Sequence, residues 1–178
     1  INSIFEGSNV IGNNVQIQAG CIIKNSKIGN NTVVKPFTSI EDTIIGTHCS
    51  IGPYANLRNK NIIKNNVSIG NYVEIKKSNI GDRVKINHLS FIGDALIEED
   101  VIIGAGTITC NHDGKLHQNT TIKKGAYVGS GCKLIAPIIL GENSTIGSGS
   151  VITMDAPKNK LTISRIEQMT IENWERKK

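Results

Sequence analysis

The sequence predicts an all-β fold, a parallel β-helix in which short strands wind around a triangular prism. Three observations predict it: an aliphatic residue at nearly every sixth position, a glycine that commonly follows it, and a small residue four positions after it. An α-helix would need apolar residues at about 3.6-residue spacing, which this pattern does not supply. Six residues per face and three faces per turn give coils of 17 or 18 residues that depend on their neighbours. The period alone leaves the handedness open.

The aliphatic positions define the core and occupy almost the whole chain. They are Ile11, Ile17, Ile23, Ile28, Val34, Ile40, Ile45, Ile51, Leu57, Ile63, Ile69, Ile75, Ile80, Ile86, Ile92, Ile97, Ile103, Ile122, Val128, Leu134, Leu140, Ile146 and Ile152. We expect about eight coils, all within one domain over residues 1–157. The glycines and asparagines that follow the aliphatic residues suit corners, because they tolerate left-handed backbone conformations.

Three of the four cysteines, Cys21, Cys49 and Cys132, occupy the small position of the repeat. We interpret them as packing residues. No close spacing predicts a zinc knuckle or a redox pair, and we expect reduced thiols.

Two stretches interrupt the repeats. Between Cys110 and Thr121 the sequence is polar and rich in turn residues, which predicts an inserted loop over about 110–121. Such insertions in a solenoid commonly line a functional face. The second stretch is a C-terminal extension, 158–178, where apolar residues at roughly helical spacing from Ile166 to Trp174 indicate a short docked helix.

The composition excludes several classes of function. The net charge is +5, part of it in the terminal Arg176-Lys177-Lys178, and aromatic residues make up 4%. No cluster of aromatic and basic residues indicates nucleic-acid binding. No apolar run approaches the roughly 20 residues that cross a bilayer. The chain begins at Ile1 without a secretion leader, so we expect a piece of a longer, cytoplasmic protein.

Five motifs narrow the interpretation. They are IGPYANLR at Ile51–Arg58, EIKK at Glu74–Lys77, NHLSFIGDA at Asn87–Ala95, IGAGTITCNHDG at Ile103–Gly114 and ISR at Ile163–Arg165. Together they resemble the C-terminal acetyltransferase domain of the bacterial bifunctional N-acetylglucosamine-1-phosphate uridylyltransferase / glucosamine-1-phosphate N-acetyltransferase, over essentially the whole chain. Nothing resembles the uridylyl-transferring half of that family, which would precede this chain.

The resemblance implies a left-handed β-helix and a homotrimer with active sites between neighbouring prisms. It also implies the reaction, transfer of acetyl from acetyl-CoA to the amine of glucosamine-1-phosphate. The product feeds UDP-N-acetylglucosamine synthesis, and through it peptidoglycan and, where present, lipopolysaccharide.

The catalytic residues that the resemblance implies are His88 as general base and Glu74 as the carboxylate that orients it. A histidine pKa near ~6.5 suits a base that works at neutral pH. On spacing alone, His88 could equally be a corner histidine on a solvated edge. Arg58 and Lys76, one coil apart, match the positions that bind the acceptor's phosphate, for which a guanidinium fork and an ammonium are suited.

The coenzyme A contacts implied by the resemblance come from further along the chain. They are Ala105, Asn111, the backbone at His112, Ser130, Ser148 and Arg165. An N–H near Asn111 or His112 could stabilise the oxyanion that develops at the thioester. No metal is implied.

Four positions depart from the family pattern. Phe91 and His112 replace tyrosines, with Phe91 at the position that contacts the sugar, and Ile102 replaces an asparagine. His117 stands where a phosphate-binding lysine is expected, although Lys115 is close enough to substitute. These changes bear on the identity of the acceptor more than on acetyl transfer.

Three other functions remain open from the sequence. One is acyl transfer to another amino sugar. Another is a zinc hydratase similar to the β-helix carbonic anhydrases, in which His112 and His117 of the loop would bind metal with His88 across subunits. The third is a trimeric scaffold with a decayed pocket.

Overall fold

The structure of the protein is a computed structural model that describes residues 2–175, and these form 26 β-strands and no helix. The strands make three parallel sheets, one on each face of a prism. Sheet A contains β1 (Ile4–Glu6), β4 (Ile22–Lys24), β7 (Ser39–Glu41), β10 (Asn56–Arg58), β13 (Glu74–Lys76), β16 (Phe91–Gly93), β19 (Ile108–Cys110), β22 (Lys133–Ile135) and β25 (Val151–Ile152). Sheet B contains β2 (Val10–Ile11), β5 (Lys27–Ile28), β8 (Ile44–Ile45), β11 (Ile62–Ile63), β14 (Asn79–Ile80), β17 (Ala95–Ile97), β20 (Thr120–Ile122) and β23 (Ile138–Leu140). Sheet C contains β3 (Gln16–Ile17), β6 (Val33–Val34), β9 (Ser50–Ile51), β12 (Ser68–Asn71), β15 (Lys85–His88), β18 (Ile102–Ile103), β21 (Tyr127–Val128), β24 (Thr145–Ile146) and β26 (Leu161–Thr162).

The chain visits sheets A, B and C in turn, so each strand pairs with strands one coil before and after it. This confirms the predicted parallel β-helix, and the architecture is consistent with the left-handed type that the resemblance implied. About nine turns are present, where the sequence predicted about eight. The prediction was low because β1 pairs with β4 before the first repeat, and β26 pairs with β24 beyond 157. Phe5 of β1 pairs with Ile23, and Thr162 of β26 pairs with Ile146, but neither Phe5 nor Thr162 is aliphatic, so the aliphatic repeat did not reveal these strands.

From Ile23 onward the aliphatic ladder forms the core as predicted. Ile23, Ile40 and Leu57, for example, stack in sheet A at register positions one coil apart, and each is 0% exposed. Ile11 is instead 39% exposed and Ile17 is half-buried, because β2 and β3 are edge strands with a neighbour on one side only. Cys21, Cys49 and Cys132 are also buried, which confirms their packing role. Burial raises the pKa of the Cys49 thiol. Fully burying one such aliphatic side chain stabilises the fold by roughly 1.5–3 kcal/mol.

The C-terminal segment differs from the prediction. Residues 163–175 have no regular secondary structure beyond a turn at 172–173, so the helix predicted from Ile166 to Trp174 is wrong. The side chains of Ile166 and Trp174 are 96% and 67% exposed. A short helix in water is marginal unless an apolar surface covers its face, and the described part of this chain offers these residues none. No helix in residues 2–175 has the length and hydropathy to cross a membrane.

Candidate active site

Four of the predicted site residues, His88, Ala105, Ser130 and Ser148, lie along one edge of the prism, where sheet C turns into sheet A. We call this edge the C–A corner. In each coil it consists of a residue that ends or follows the sheet C strand and a second residue with positive φ. The first positions are Ala19, Pro36, Pro53, Asn71, His88, Ala105, Ser130 and Ser148, and the second positions are Gly20, Phe37, Tyr54, Tyr72, Leu89, Gly106, Gly131 and Gly149.

Backbone hydrogen bonds stack the corner of one coil on the next. The carbonyl oxygen of His88 accepts from the amide of Gly106 at 3.3 Å, and that of Ala105 accepts from Gly131 at 2.7 Å. The carbonyl oxygen of Ser130 accepts from Gly149 at 2.8 Å. His88 and Ser148 are 60 positions apart in the chain. These hydrogen bonds nevertheless place the predicted catalytic and cofactor-binding residues of the corner in one continuous column.

His88 ends β15 with an exposed side chain. Its Nδ1 lies 2.8 Å from Oδ1 of Asn71, the register partner in β12. An amide oxygen only accepts, so this contact requires a proton on Nδ1. In the neutral form of the ring that proton leaves Nε2 unprotonated, as a general base must be.

Asn71 was missed by the reasoning from sequence, which assigned Glu74 to orient His88. Among the described residues, no hydrogen bond joins Glu74 to His88. Oε1 of Glu74 instead accepts from Nε of Arg58 at 2.7 Å. The signal that could have found Asn71 is its distance of 17 positions from His88, one coil earlier.

The predicted phosphate-binding residues lie together on the outer face of sheet A. Arg58 and Lys76 are register partners in β10 and β13, and both are half-buried. Glu74 lies beside them, paired with Arg58. The guanidinium has five N–H donors, so its pairing with one carboxylate leaves donors free for an anion.

Phe91 and Asn111 approach each other over Gly93. A Cβ at Gly93 would lie 2.6 Å from Nδ2 of Asn111 and 2.8 Å from Cζ of Phe91, so any side chain there would displace one of these two groups. Phe91 is also the register partner of Glu74. The structure thus brings the residue predicted to contact the sugar and the residue predicted to lie near the thioester to the same part of sheet A.

The predicted loop follows β19 and is itself ordered. His112 and His117 form an antiparallel bridge with ring centroids 4.8 Å apart, and Oδ1 of Asp113 accepts from two loop amides at 2.8 Å. These hydrogen bonds lower the pKa of Asp113. Lys115 is exposed at the turn.

The structure does not gather the three histidines of the zinc hypothesis. Within the described residues, no group of three or more His, Cys, Asp or Glu side chains could hold a metal ion. Nδ1 of His117 instead lies 3.1 Å from Asp94, a residue that the sequence did not single out.

The remaining predicted residues lie at the C-terminal end of the corner. Ser130 and Ser148 are exposed, and Nη1 of Arg165 donates to the carbonyl oxygen of Ser148 at 2.8 Å. Ile102 is separate from all of these, since it lies on sheet C between Lys85 and Tyr127.

Two family models match parts of the chain. The GMPPB C-terminal domain matches residues 2–63, and the bacterial transferase hexapeptide (six repeats) matches residues 119–153. Among solved structures, LpxA, a UDP-N-acetylglucosamine acyltransferase from Bacteroides fragilis, superposes with a TM-score of 0.78 at 19% identity. It covers 89% of this chain and 68% of its own, and at that identity it shows the fold alone.

Curated relatives match the chain from end to end. The bifunctional protein GlmU of Psychrobacter sp. (strain PRwf-1) is 54% identical over 176 residues, and that of Ruthia magnifica subsp. Calyptogena magnifica is 49% identical over 176 residues. Each alignment covers 99% of this chain and 39% of the relative. The chain therefore spans about two fifths of the length of these relatives, their C-terminal part.

Proposed function

We propose that this chain, which belongs to the GlmU family as its C-terminal part, transfers an acetyl group from acetyl-CoA to the amine of glucosamine-1-phosphate. The observation that carries the proposal is the C–A corner. There the Asn71 contact favours the His88 tautomer with a free Nε2, and the corner continues as a column of predicted coenzyme A contacts.

The chemistry requires one proton acceptor. The amine nitrogen attacks the thioester carbon, a C–N bond forms, and the C–S bond breaks with coenzyme A leaving as a thiolate. Nε2 of His88 takes the proton that the amine loses, and Asn71 holds the tautomer that makes this possible. Asn111, near the end of β19, would face the carbonyl oxygen on which negative charge develops.

The second half of the C–A corner, from Ala105 to Gly149, suits the pantetheine arm. Gly106, Gly131 and Gly149 all have φ of +73°, and no side chain covers the backbone at these positions. An extended chain could lie against the exposed backbone, between His88 at one end and Arg165 at the other. A phosphate of the nucleotide would then meet the Arg165 guanidinium.

The acceptor's phosphate would bind at Arg58 and Lys76. Two cations in adjacent strands match a dianion, and their half-buried positions limit screening by salt. Phe91, beside Glu74, would contact the sugar ring without the hydroxyl of a tyrosine, which costs about 1 kcal/mol for one hydrogen bond.

We also propose a cytoplasmic homotrimer. Within one chain, Ile102 lies on a different face from Phe91, and the corner is open to solvent at His88. A neighbouring prism against this edge would bring these faces together. The uridylyl-transferring half and the place in UDP-N-acetylglucosamine synthesis belong to the longer protein.

The test is release of free thiol from acetyl-CoA, measured with glucosamine-1-phosphate, glucosamine-6-phosphate, galactosamine-1-phosphate and glucosamine. We expect the highest kcat/KM with glucosamine-1-phosphate. A higher value with another sugar would reassign the acceptor, and no release with any of them would overturn acetyl transfer. Elemental analysis of the same sample checks the alternative, because stoichiometric zinc would favour a hydratase.

A further inference from the structure

Asp94 is a buried acidic residue to which the proposed mechanism gives no role. Its side chain is 3% exposed. Oδ2 accepts a hydrogen bond from Nδ2 of Asn111 at 2.6 Å and lies 3.1 Å from Nδ1 of His117. Oδ1 lies 3.3 Å from Nζ of Lys77. One carboxyl group thus contacts the end of β19, the inserted loop and the corner of the preceding coil.

The fold alone does not require this burial. Asp42 occupies the same corner, where sheet A turns into sheet B, with the same φ of +47°. Its amide donates to the carbonyl oxygen of Lys24 at 3.0 Å, as that of Asp94 donates to Lys76 at 3.0 Å. Asp42 is nevertheless exposed, because no loop covers it. Asp94 is buried where the insertion covers it, through Asn111 at its start and His117 near its end.

We propose that Asp94 is a positioning residue that holds Asn111 and the loop in the geometry acetyl-CoA requires. A buried carboxyl group is costly unless it is paired, so Asp94 and its partners depend on one another. The bond from Nδ2 fixes the orientation of the Asn111 amide and leaves its other N–H and its Oδ1 for the ligand.

Gly93 makes this arrangement possible, because a Cβ there would collide with the Asn111 amide at 2.6 Å. The loop is held at its second end by His117, and the backbone joins both ends, since the amide of Gln118 donates to the carbonyl oxygen of Asn111 at 2.8 Å. Asp94 therefore contacts the loop near both its beginning and its end.

The kinetic test rests on the proposed function and compares Asp94→Ala with Asp42→Ala, the same change at the uncovered corner. We expect Asp94→Ala to lower kcat/KM for acetyl-CoA by roughly tenfold to a hundredfold, the usual effect of losing a hydrogen bond to a charged group. Asp42→Ala should stay within about twofold of the wild type. Asp94→Asn keeps an acceptor oxygen and suits the corner, where Asn25 has the same φ of +47°, so it should recover most of the loss.

The double variant Asp94→Ala/Asn111→Ala distinguishes positioning from general damage. If Asp94 acts through Asn111, the double variant loses no more kcat/KM than the worse single variant. Independent multiplication of the two losses would overturn the proposal. So would an unchanged kcat/KM in Asn111→Ala, because Asp94 would then have nothing to position.

A second measurement does not depend on activity. Hydrogen–deuterium exchange of the amides in 111–120 should become faster in Asp94→Ala and remain unchanged in Asp42→Ala. Equal exchange in the two variants would overturn the proposal. If Asp94→Ala does not fold, His117→Ala removes a partner from the exposed side and should also accelerate exchange in the loop. A wild-type chain that exchanges normally but transfers no acetyl would contradict the proposed function and not the role of Asp94 in holding the loop.

Discussion

The C–A corner has a first half, before His88, and a second half, after it. The two halves have similar backbone conformations but different side chains. In the first half the positive-φ position holds Gly20 and then Phe37, Tyr54 and Tyr72, whose rings stack with centroids 5.1 and 5.3 Å apart. In the second half the same position holds Gly106, Gly131 and Gly149. Leu89, next to His88, is the last large side chain before the change.

This difference shows that the glycines are not required by packing within the chain. A Cβ at Gly106 or Gly131 would have its nearest contact at 3.8 or 3.9 Å, and one at Gly149 would meet nothing within 4 Å. Large residues are accommodated in the first half with φ of 54–57°. We infer that the second half is left open for a ligand. His88 lies at the boundary between the half that stabilises the fold and the half that would bind this ligand.

The largest expected effect comes from the residue at the boundary. His88→Ala should lower kcat by roughly 10²–10⁴, the usual contribution of a general base. His48→Ala is the matched control, because His48 is also exposed and also lies beside an asparagine of the preceding coil, at 3.4 Å from Asn31. Steady-state thiol release measures both. A fall of less than about threefold in His88→Ala would show that His88 is not the base.

A side chain in the open half should impair binding of acetyl-CoA. Gly131→Leu should raise KM for acetyl-CoA by roughly tenfold or more, which corresponds to about 1.4 kcal/mol of lost binding. The fold should survive, since Leu89 occupies the equivalent position, although a non-glycine residue there costs about 1–2 kcal/mol. Tyr54→Leu, which places the same residue in the first half, should leave KM unchanged. Equal KM values in the two variants would remove the distinction between the halves.

The stacked half should contribute to stability instead. Tyr54→Leu breaks both ring contacts, and each aromatic pair contributes about 0.5–1.5 kcal/mol, with exposed rings at the lower end. We therefore expect a fall of about 1 kcal/mol in the free energy of unfolding, measured by urea titration. An unchanged unfolding midpoint would mean that the stack is incidental to the fold.

The smallest effect, on the pH dependence of stability, is expected at a third kind of corner. There sheet B turns into sheet C, and the corner residues are charged. A hydrogen bond from Arg83 lowers the pKa of Asp100, and one from Lys123 lowers the pKa of Glu98. Carboxyl groups with lowered pKa values stabilise the fold above their unfolded pKa of about 4, and this contribution is lost as the pH falls through the folded pKa. Urea titrations between pH 3 and pH 7 should show stability falling below about pH 4, and less steeply in Arg83→Gln. Because these groups are exposed, 0.5 M salt should weaken the effect.

The fold could be predicted from the sequence because its six-residue repeat is visible within short segments of the chain. Ile75 and Ile92 occupy register positions in sheet A because each coil repeats the same six-residue pattern. The loop after Cys110 was visible as the place where that pattern stops. The number of turns was missed because Phe5 and Thr162, which occupy the register positions in β1 and β26, are not aliphatic. The helix was predicted wrongly because spacing does not reveal whether a surface exists to bury an apolar face.

The candidate site was only partly predictable for a related reason. Arg58, Glu74 and Lys76 were identified by type, yet the sequence did not show that Glu74 pairs with Arg58 and that Asn71 contacts His88. Register partners in adjacent coils are mostly 17 or 18 positions apart outside the insertion, but side chains that meet can differ from this, as Arg58 and Glu74 do at 16. The short steps of five also shift the distance along the chain. Pairing therefore depends on the register of the strands, which the motifs do not encode.

The sequence by itself determined the prism, its core and the types of residue at the candidate site, because six-residue periodicity and corner residues act over short distances. Only the tertiary structure decided which of these residues meet. It aligned His88, Ala105, Ser130 and Ser148 in one column, divided that column into a stacked and an open half, and buried Asp94 beneath an inserted loop. The physical reason is that stacking coils converts a distance of one turn in the chain into direct contact, which no local pattern specifies.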